Sequence, residues 1–245
     1  MIYSNVSSWI WVMEGIMKVG IVGGMGPEST VDYYKGIISE YMRRINDDNY
    51  PNIIIDSINM KEMLSYVSAR DWDSLTDMLV KSIDTLAEAG ADFVAIASNT
   101  PHVVFYRVQD KVRVPLLSIV EETCKKAQQC GFNRVGLIGT AFTMKENFYL
   151  DIFEANGMKI ILPNIDEQQY IHKKLFSEIE MGIIKDETKY GMLAIIERMF
   201  EEDDIDSLIL GCTELPLILK DGDSKIPFLN TTEIHVQSIV DRLIG

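Results

Sequence analysis

Basic residues are scarce in this sequence. Lysine and arginine total 23 against 37 aspartates and glutamates, a net charge of −14 over 245 residues. The longest basic clusters are pairs, Arg43-Arg44, Lys125-Lys126 and Lys173-Lys174. A surface of this sign repels phosphate backbones and anionic bilayers, which removes nucleic acid and membrane from the expected partners. Cysteine is scarcer still. Cys124, Cys130 and Cys212 are an odd set with no CxxC pair and no run of histidines nearby. That excludes a disulfide framework, argues against a structural zinc and points to a reducing, cytoplasmic compartment. No stretch reaches eighteen apolar residues, so no membrane span is expected. The apolar patch at 6–13, with Trp9 and Trp11, is too short for a span and lacks a basic flank. Residues 1–16 therefore read as an N-terminal extension ahead of a second start at Met17.

What remains is a composition that builds a core: 47% hydrophobic and 24% charged residues, as in ordinary globular chains. Apolar runs of strand length alternate with amphipathic stretches of helix length, the pattern of βα units around a parallel sheet. Strands are predicted at 18–22, 53–58, 93–97, 116–120, 135–138, 158–162, 207–210 and 228–229. Helices are predicted at 30–46, 72–89, 120–130, 145–156, 167–184 and 189–202, with Gly90 and Gly131 placed to end two of them.

The pattern occurs twice. Gly20-Ile21-Val22-Gly23 matches Gly136-Leu137-Ile138-Gly139 at an offset of 116. Asp92 to Thr100 matches Asp206 to Glu214 at 114, and Arg113-Val114-Pro115-Leu116-Leu117 matches Lys225-Ile226-Pro227-Phe228-Leu229 at 112. Three matches in order, with slowly drifting offsets, predict an α/β fold of two similar lobes, each a mostly parallel sheet flanked by helices. Lobe 1 is expected at 17–115, completed by 230–245, and lobe 2 at 116–229. Ligands of open parallel sheets bind beyond the carboxyl ends of the strands, where Ser98 and Cys212 stand at equivalent positions. A cleft between the lobes would bring both to one ligand.

Three motifs fall at these strand ends: Gly23-Gly24-Met25-Gly26-Pro27, Ser98-Asn99-Thr100-Pro101-His102 and Gly211-Cys212-Thr213-Glu214-Leu215-Pro216. Together, from Met17 to the C-terminus, they resemble the aspartate/glutamate racemase superfamily, in particular its aspartate-racemase branch. The resemblance implies a pyridoxal-phosphate-independent amino-acid racemase, without cofactor or metal, with the site between two lobes and usually a homodimer.

The chemistry asks for such a pair. An amino-acid α-proton is very weakly acidic, and racemisation needs a base on one face of Cα and an acid on the other. Cysteine suits both roles, and a thiol at a helix N-terminus is more acidic than usual, a setting expected for Cys212. The family's first motif carries cysteine where this chain has Ser98, and a hydroxyl does not ionise at neutral pH without an activating base. Three consequences stay open: biased racemisation with Ser98 as proton donor, a relay through water or His102, or a different reaction at a one-thiol site. Cys212 and Ser98 are the candidate catalytic residues. Alternatives to racemisation are a non-catalytic two-lobed binding protein and a one-thiol isomerase or decarboxylase of the same superfamily.

Substrate contacts are expected from Met25, Asn99, Thr100, Thr140, Thr143, Thr213 and Glu214, mostly hydroxyl, amide and backbone donors for an amino-acid substrate. The resemblance implies two basic residues for a second carboxylate. The corresponding stretches carry Met63 and Gln169 instead, with Lys61 or Lys173 as possible substitutes. His102 is read first as a structural hydrogen bonder. His172 and His235 read as structural or surface residues, and Cys124 and Cys130 as packing. Gly24-Met25-Gly26-Pro27-Glu28-Ser29 approximates a dinucleotide fingerprint, but Pro27 removes a donor and Glu28 opposes a pyrophosphate, so it reads as a tight turn.

Overall fold

The computed structural model describes residues 17–45 and 49–245. The extension assigned to 1–16 and the last residue of the first predicted helix, Asn46, lie outside the described residues. In the first half, β1 (Lys18–Gly23), α1 (Pro27–Ile45), β2 (Asn52–Ser57), α2 (Met60–Ala69), α3 (Trp72–Glu88), β3 (Phe93–Ile96), α4 (Phe105–Gln109) and β4 (Leu116–Leu117) follow in order. In the second come α5 (Ile119–Cys130), β5 (Arg134–Ile138), α6 (Ala141–Lys145), α7 (Phe148–Ala155), β6 (Lys159–Ile161), α8 (Ile165–Ser177), α9 (Asp186–Asp203), β7 (Ser207–Leu210), β8 (Phe228–Asn230) and α10 (Thr231–Ile244).

The strands form two four-stranded sheets, ordered β2-β1-β3-β4 and β6-β5-β7-β8, and every pair is parallel. The central strands are apolar on both faces because helices cover both. From β1, Val19 and Ile21 pack with Tyr33 and Ile37 of α1, while Val22 packs with Leu75, Leu79 and Ile83 of α3. In the second sheet Val135 and Leu137 meet Tyr149 and Phe153 of α7, and Ile138 meets Met192 and Ile196 of α9. Burial of each such side chain contributes about 1.5–3 kcal/mol.

The repetition reaches individual hydrogen bonds. Asp92 caps the start of β1, its Oδ2 accepting from Lys18 N–H at 2.6 Å, and Asp206 accepts from Arg134 N–H at 3.1 Å. At the other end of the sheets, Ala97 N–H donates to Val22 O at 2.9 Å and Gly211 N–H to Ile138 O at 2.8 Å. Equivalent residues thus leave the two sheets in equivalent directions.

Several boundaries differ from expectation. The strand predicted at 116–120 stops at Leu117 because the Ser118 side chain accepts from Glu121 N–H and caps α5. Since Leu116 pairs with Val94, β4 belongs to the first sheet, and the expected lobe boundary at 115 cuts it off. The helix predicted at 145–156 is α7, which starts only at Phe148, and Lys145 instead ends a separate short helix, α6. Residues 60–69, not assigned a helix from sequence, form α2 behind Asn59, whose side chain accepts from Lys61 and Glu62 N–H. Helix α8 ends at Ser177, and a single 3-10 turn, Ile179–Met181, comes after it. The C-terminal α10 packs against α1 and α5. Its Val236, Ile239, Val240 and Leu243 join the core over β1, while Ile234 joins that of the second sheet. Among the described residues, no helix is long and apolar enough to cross a membrane.

Candidate active site

Strands β3 and β7 release the chain into one cavity of 680 Å³, a volume usual for small-molecule sites. Every residue assigned to the site from sequence borders it: Met25, Ser98, Asn99, Thr100, Thr140, Thr143, Cys212, Thr213 and Glu214. The exit of β7 is tight. A side chain at Gly211 would bring Cβ to 3.0 Å from Ile138 O and 2.9 Å from Leu137. Glycine there lets Cys212 stand immediately beyond the last ladder bond.

Cys212 is 7% exposed. Its thiol donates to Glu214 Oε2 at 3.0 Å, and the Thr213 hydroxyl donates to the same oxygen at 2.8 Å. Burial pushes the thiol well above the ordinary cysteine range, and the negative charges of Glu214 and Glu180 push it the same way. This reverses the expectation of an acidified thiol. Beyond Cys212 the chain enters a three-residue turn, Leu215–Leu217, and not a helix. Glu214, expected only as a substrate contact, accepts the hydrogen bond of the thiol.

Ser98 is 8% exposed, and its hydroxyl has no hydrogen-bond partner among the described residues. Its carbonyl accepts from His102 Nδ1–H at 2.9 Å, while His102 Nε2 accepts from Ile119 N–H at 3.3 Å. The imidazole also stacks on Phe105, with centroids 5.2 Å apart. With both ring nitrogens engaged and burial lowering its pKa to about 4, His102 is a neutral structural residue. With both ring nitrogens held by backbone groups, the geometry argues against a proton relay through His102. His235 is structural as well: Tyr33 O–H donates to its Nδ1 at 2.8 Å and its Nε2–H donates to Leu117 O at 3.1 Å. His172 borders the cavity, its Nδ1 accepting from Ala141 N–H at 3.3 Å.

The neighbouring polar groups are largely held by one another. Asn99 Oδ1 accepts from Tyr149 O–H at 2.6 Å and its Nδ2–H donates to Thr231 Oγ1 at 3.4 Å. The Asn99 amide thus ties the two lobes together behind the cavity. Thr140 caps α6, accepting from Thr143 N–H at 3.2 Å, and the two hydroxyls are 3.1 Å apart. The glycine loop is a tight turn, as expected. Gly24 has φ +88°, and a Cβ there would run into the Ile58 carbonyl. Its N–H donates to Thr30 Oγ1 at 2.8 Å, so it is not presented to a phosphate.

Met63 borders the cavity, but Lys61, Gln169 and Lys173 do not, so neither lysine replaces the expected basic residues. Sequence reasoning missed two features. The first is the α2 face Met60, Met63, Leu64 and Val67, whose spacing of three and four was legible as a helix stripe. The second is a set of carboxylates, Glu28, Asp32 and Glu180, that border the cavity with Glu214. Glu180 arrives on the turn after α8, anchored by buried Glu178. That carboxylate accepts from Lys174 at 2.8 Å, from Lys185 at 3.2 Å and from the Thr188 hydroxyl.

A family model described as Asp/Glu/hydantoin racemase matches residues 22–239. A broad specificity amino-acid racemase of Bacillus subtilis (strain 168) is 28% identical over 233 residues, 93% of this chain and 98% of that protein. An aspartate racemase homologue from Pyrococcus horikoshii OT3 is 36% identical and superposes with a TM-score of 0.85, covering 93% of this chain and 99% of that one. Glutamate racemase from Aquifex pyrophilus, at 23% identity and a TM-score of 0.62, covers 92% of this chain and 84% of its own and shares the fold.

Proposed function

Because the chain belongs to the Asp/Glu/hydantoin racemase family, whose named relatives are isomerases, we propose that it is a pyridoxal-phosphate-independent amino-acid racemase with Cys212 and Ser98 on opposite faces of the substrate Cα. The observation that carries this reading is the emergence of both residues from equivalent strand ends into one cavity.

The catalytic unit on the second lobe is a pair. Glu214 accepts the Cys212 proton, the thiolate removes the α-hydrogen, and the resulting carbanion is reprotonated from the other face. Ser98 supplies that second proton, directly or through a water, and recovers one from solvent as Glu214 gives up the proton it took. With no base beside its hydroxyl, the reverse step, in which Ser98 takes the α-hydrogen, is the slower one, so the two directions differ in kcat and KM compensates. The Thr100 hydroxyl holds the α-carboxylate.

The protein acts as a homodimer in the cytoplasm under this reading; a monomer in sedimentation at micromolar concentration would remove the dimer. Incubation of each enantiomer in deuterated water tests the reaction itself. Incorporation of deuterium at Cα supports racemisation, and a folded protein that exchanges no amino acid is left with the non-catalytic alternative.

A further inference from the structure

Proton transfer on two faces of one carbon needs both proton carriers at a fixed separation, and Ser98 and Cys212 belong to different lobes. A short chain of side-chain hydrogen bonds joins the strand ends that carry them. Thr231 lies at its centre. Its hydroxyl donates at 3.0 Å to the carbonyl of Leu210, the last residue of β7, which stands two residues before Cys212. The same oxygen accepts at 3.4 Å from Nδ2–H of Asn99, the residue that follows Ser98. Tyr149 O–H donates to the other end of that amide at 2.6 Å, so the second lobe grips Asn99 at both its oxygen and its nitrogen. Asn99, Tyr149 and Thr231 are all buried. Away from water such bonds are stronger and hold geometry more firmly.

Thr231 stands where one lobe passes to the other. It is the first residue of α10, just beyond β8 of the second sheet, and the helix then lays Val236, Ile239 and Val240 on the core over β1. The repeat does not require a hydroxyl there. At the offset of 112 that aligns the β4 and β8 segments, the first lobe has Ile119. Helix capping does not require it either, because Asn230 caps α10 by accepting from Glu233 N–H. The Arg70–Glu146 ion pair also crosses between the lobes, but Arg70 is exposed and such pairs hold little.

We propose that Thr231 is a positioning residue that fixes the gap between Ser98 and Cys212. Its effect on turnover rests on the racemase reading, whereas the gap itself is a property of the fold. Valine has a similar volume but neither donates nor accepts, so Thr231→Val releases the Leu210 carbonyl and the Asn99 amide while filling the same space. Misplacing reacting groups by about 1 Å costs about 10²-fold in rate.

Deuterium exchange at Cα gives the first arm of the test. In Thr231→Val, kcat falls by about tenfold or more for both enantiomers while KM stays within about twofold, and Thr231→Ser, which keeps the hydroxyl, restores most of the loss. Ile83→Val, a change in the α3 core, lowers the melting temperature but leaves kcat in place, which separates positioning from stability. Native kcat in Thr231→Val, a loss carried by KM, or no rescue by serine overturns the proposal. Tyr149→Phe breaks the same chain from its other end, gives the same fall in kcat, and decides the question where Thr231→Val does not fold.

The second arm reads the gap without turnover. In Ser98→Cys, bifunctional thiol reagents of graded spacer length link positions 98 and 212, identified by peptide mass mapping. A narrow range of spacers is expected to link them, and adding Thr231→Val broadens that range. An unchanged range overturns the proposal whether or not the protein turns over. A native protein that exchanges nothing, while Thr231→Val broadens the range, overturns the racemase reading and supports the positioning role.

Discussion

The Cys212 thiol and the Glu214 carboxylate are 3.0 Å apart, and the hydrogen between them belongs to sulfur. Burial and the neighbouring negative charge keep it there, so the resting site holds a thiol beside a base and not a free thiolate. A substrate ammonium entering the cavity partly cancels that charge and lowers the cost of forming the thiolate.

Glu214→Gln separates the two effects of this carboxylate. Removing its charge lets the thiol ionise more easily, so iodoacetamide alkylation of the Cys212 peptide, read by mass spectrometry, moves to lower pH. Removing the base slows α-proton exchange by about 10²-fold. An alkylation profile that stays in place contradicts the electrostatic account of Cys212.

The serine predicts an asymmetry. The equilibrium constant of racemisation is unity, so a kcat that differs between directions is balanced by KM. Ser98→Cys installs a second thiol and accelerates the weaker direction by about 10²-fold. Ser98→Ala removes most of the turnover if the hydroxyl is the proton donor, and full activity in that variant assigns the step to water.

Behind the cavity, Tyr149 is fully buried and its hydroxyl is the donor to Asn99 across the lobes. Tyr149→Phe leaves Asn99 Oδ1 buried without that partner and destabilises the fold by about 1–3 kcal/mol. Denaturant unfolding measures the loss, and an unchanged midpoint contradicts the role given to this bond.

Two histidines set a pH dependence of stability. Burial lowers His102 to about 4 and His235 to about 3, both below the ordinary 6.5. Between those values and 6.5 the unfolded chain binds more protons than the folded one. Their stabilising contribution is therefore complete above pH 6.5 and declines as pH falls toward 4 and then 3. For His102 the full effect is on the order of 3 kcal/mol. Urea midpoints fall from pH 7 to pH 5, and His102→Gln flattens that slope; an equal slope in the variant contradicts the assignment.

The repeated segments made the two lobes and the two strand-end residues legible in the sequence, because a duplicated βα pattern survives as matched apolar runs. Local competition hid other parts. Val120 reads as strand by its apolar character, yet Ser118 captures Glu121 N–H and starts α5. Met60, Met63, Leu64 and Val67 have helical spacing, but a helix of 10 residues leaves only a short stripe to read. The state of Cys212 was not legible. It depends on the turn that folds Glu214 back onto the sulfur and on Glu180, 32 residues away in sequence. Carboxylates brought to one cavity by separate elements leave no local pattern.

The most direct test of the catalytic assignment is deuterium incorporation at Cα of both enantiomers, by the native protein and by Cys212→Ala side by side. The account predicts exchange from both enantiomers at unequal rates by the native protein and none by the variant. Exchange that persists in folded Cys212→Ala, or a folded native protein that exchanges nothing, would contradict it.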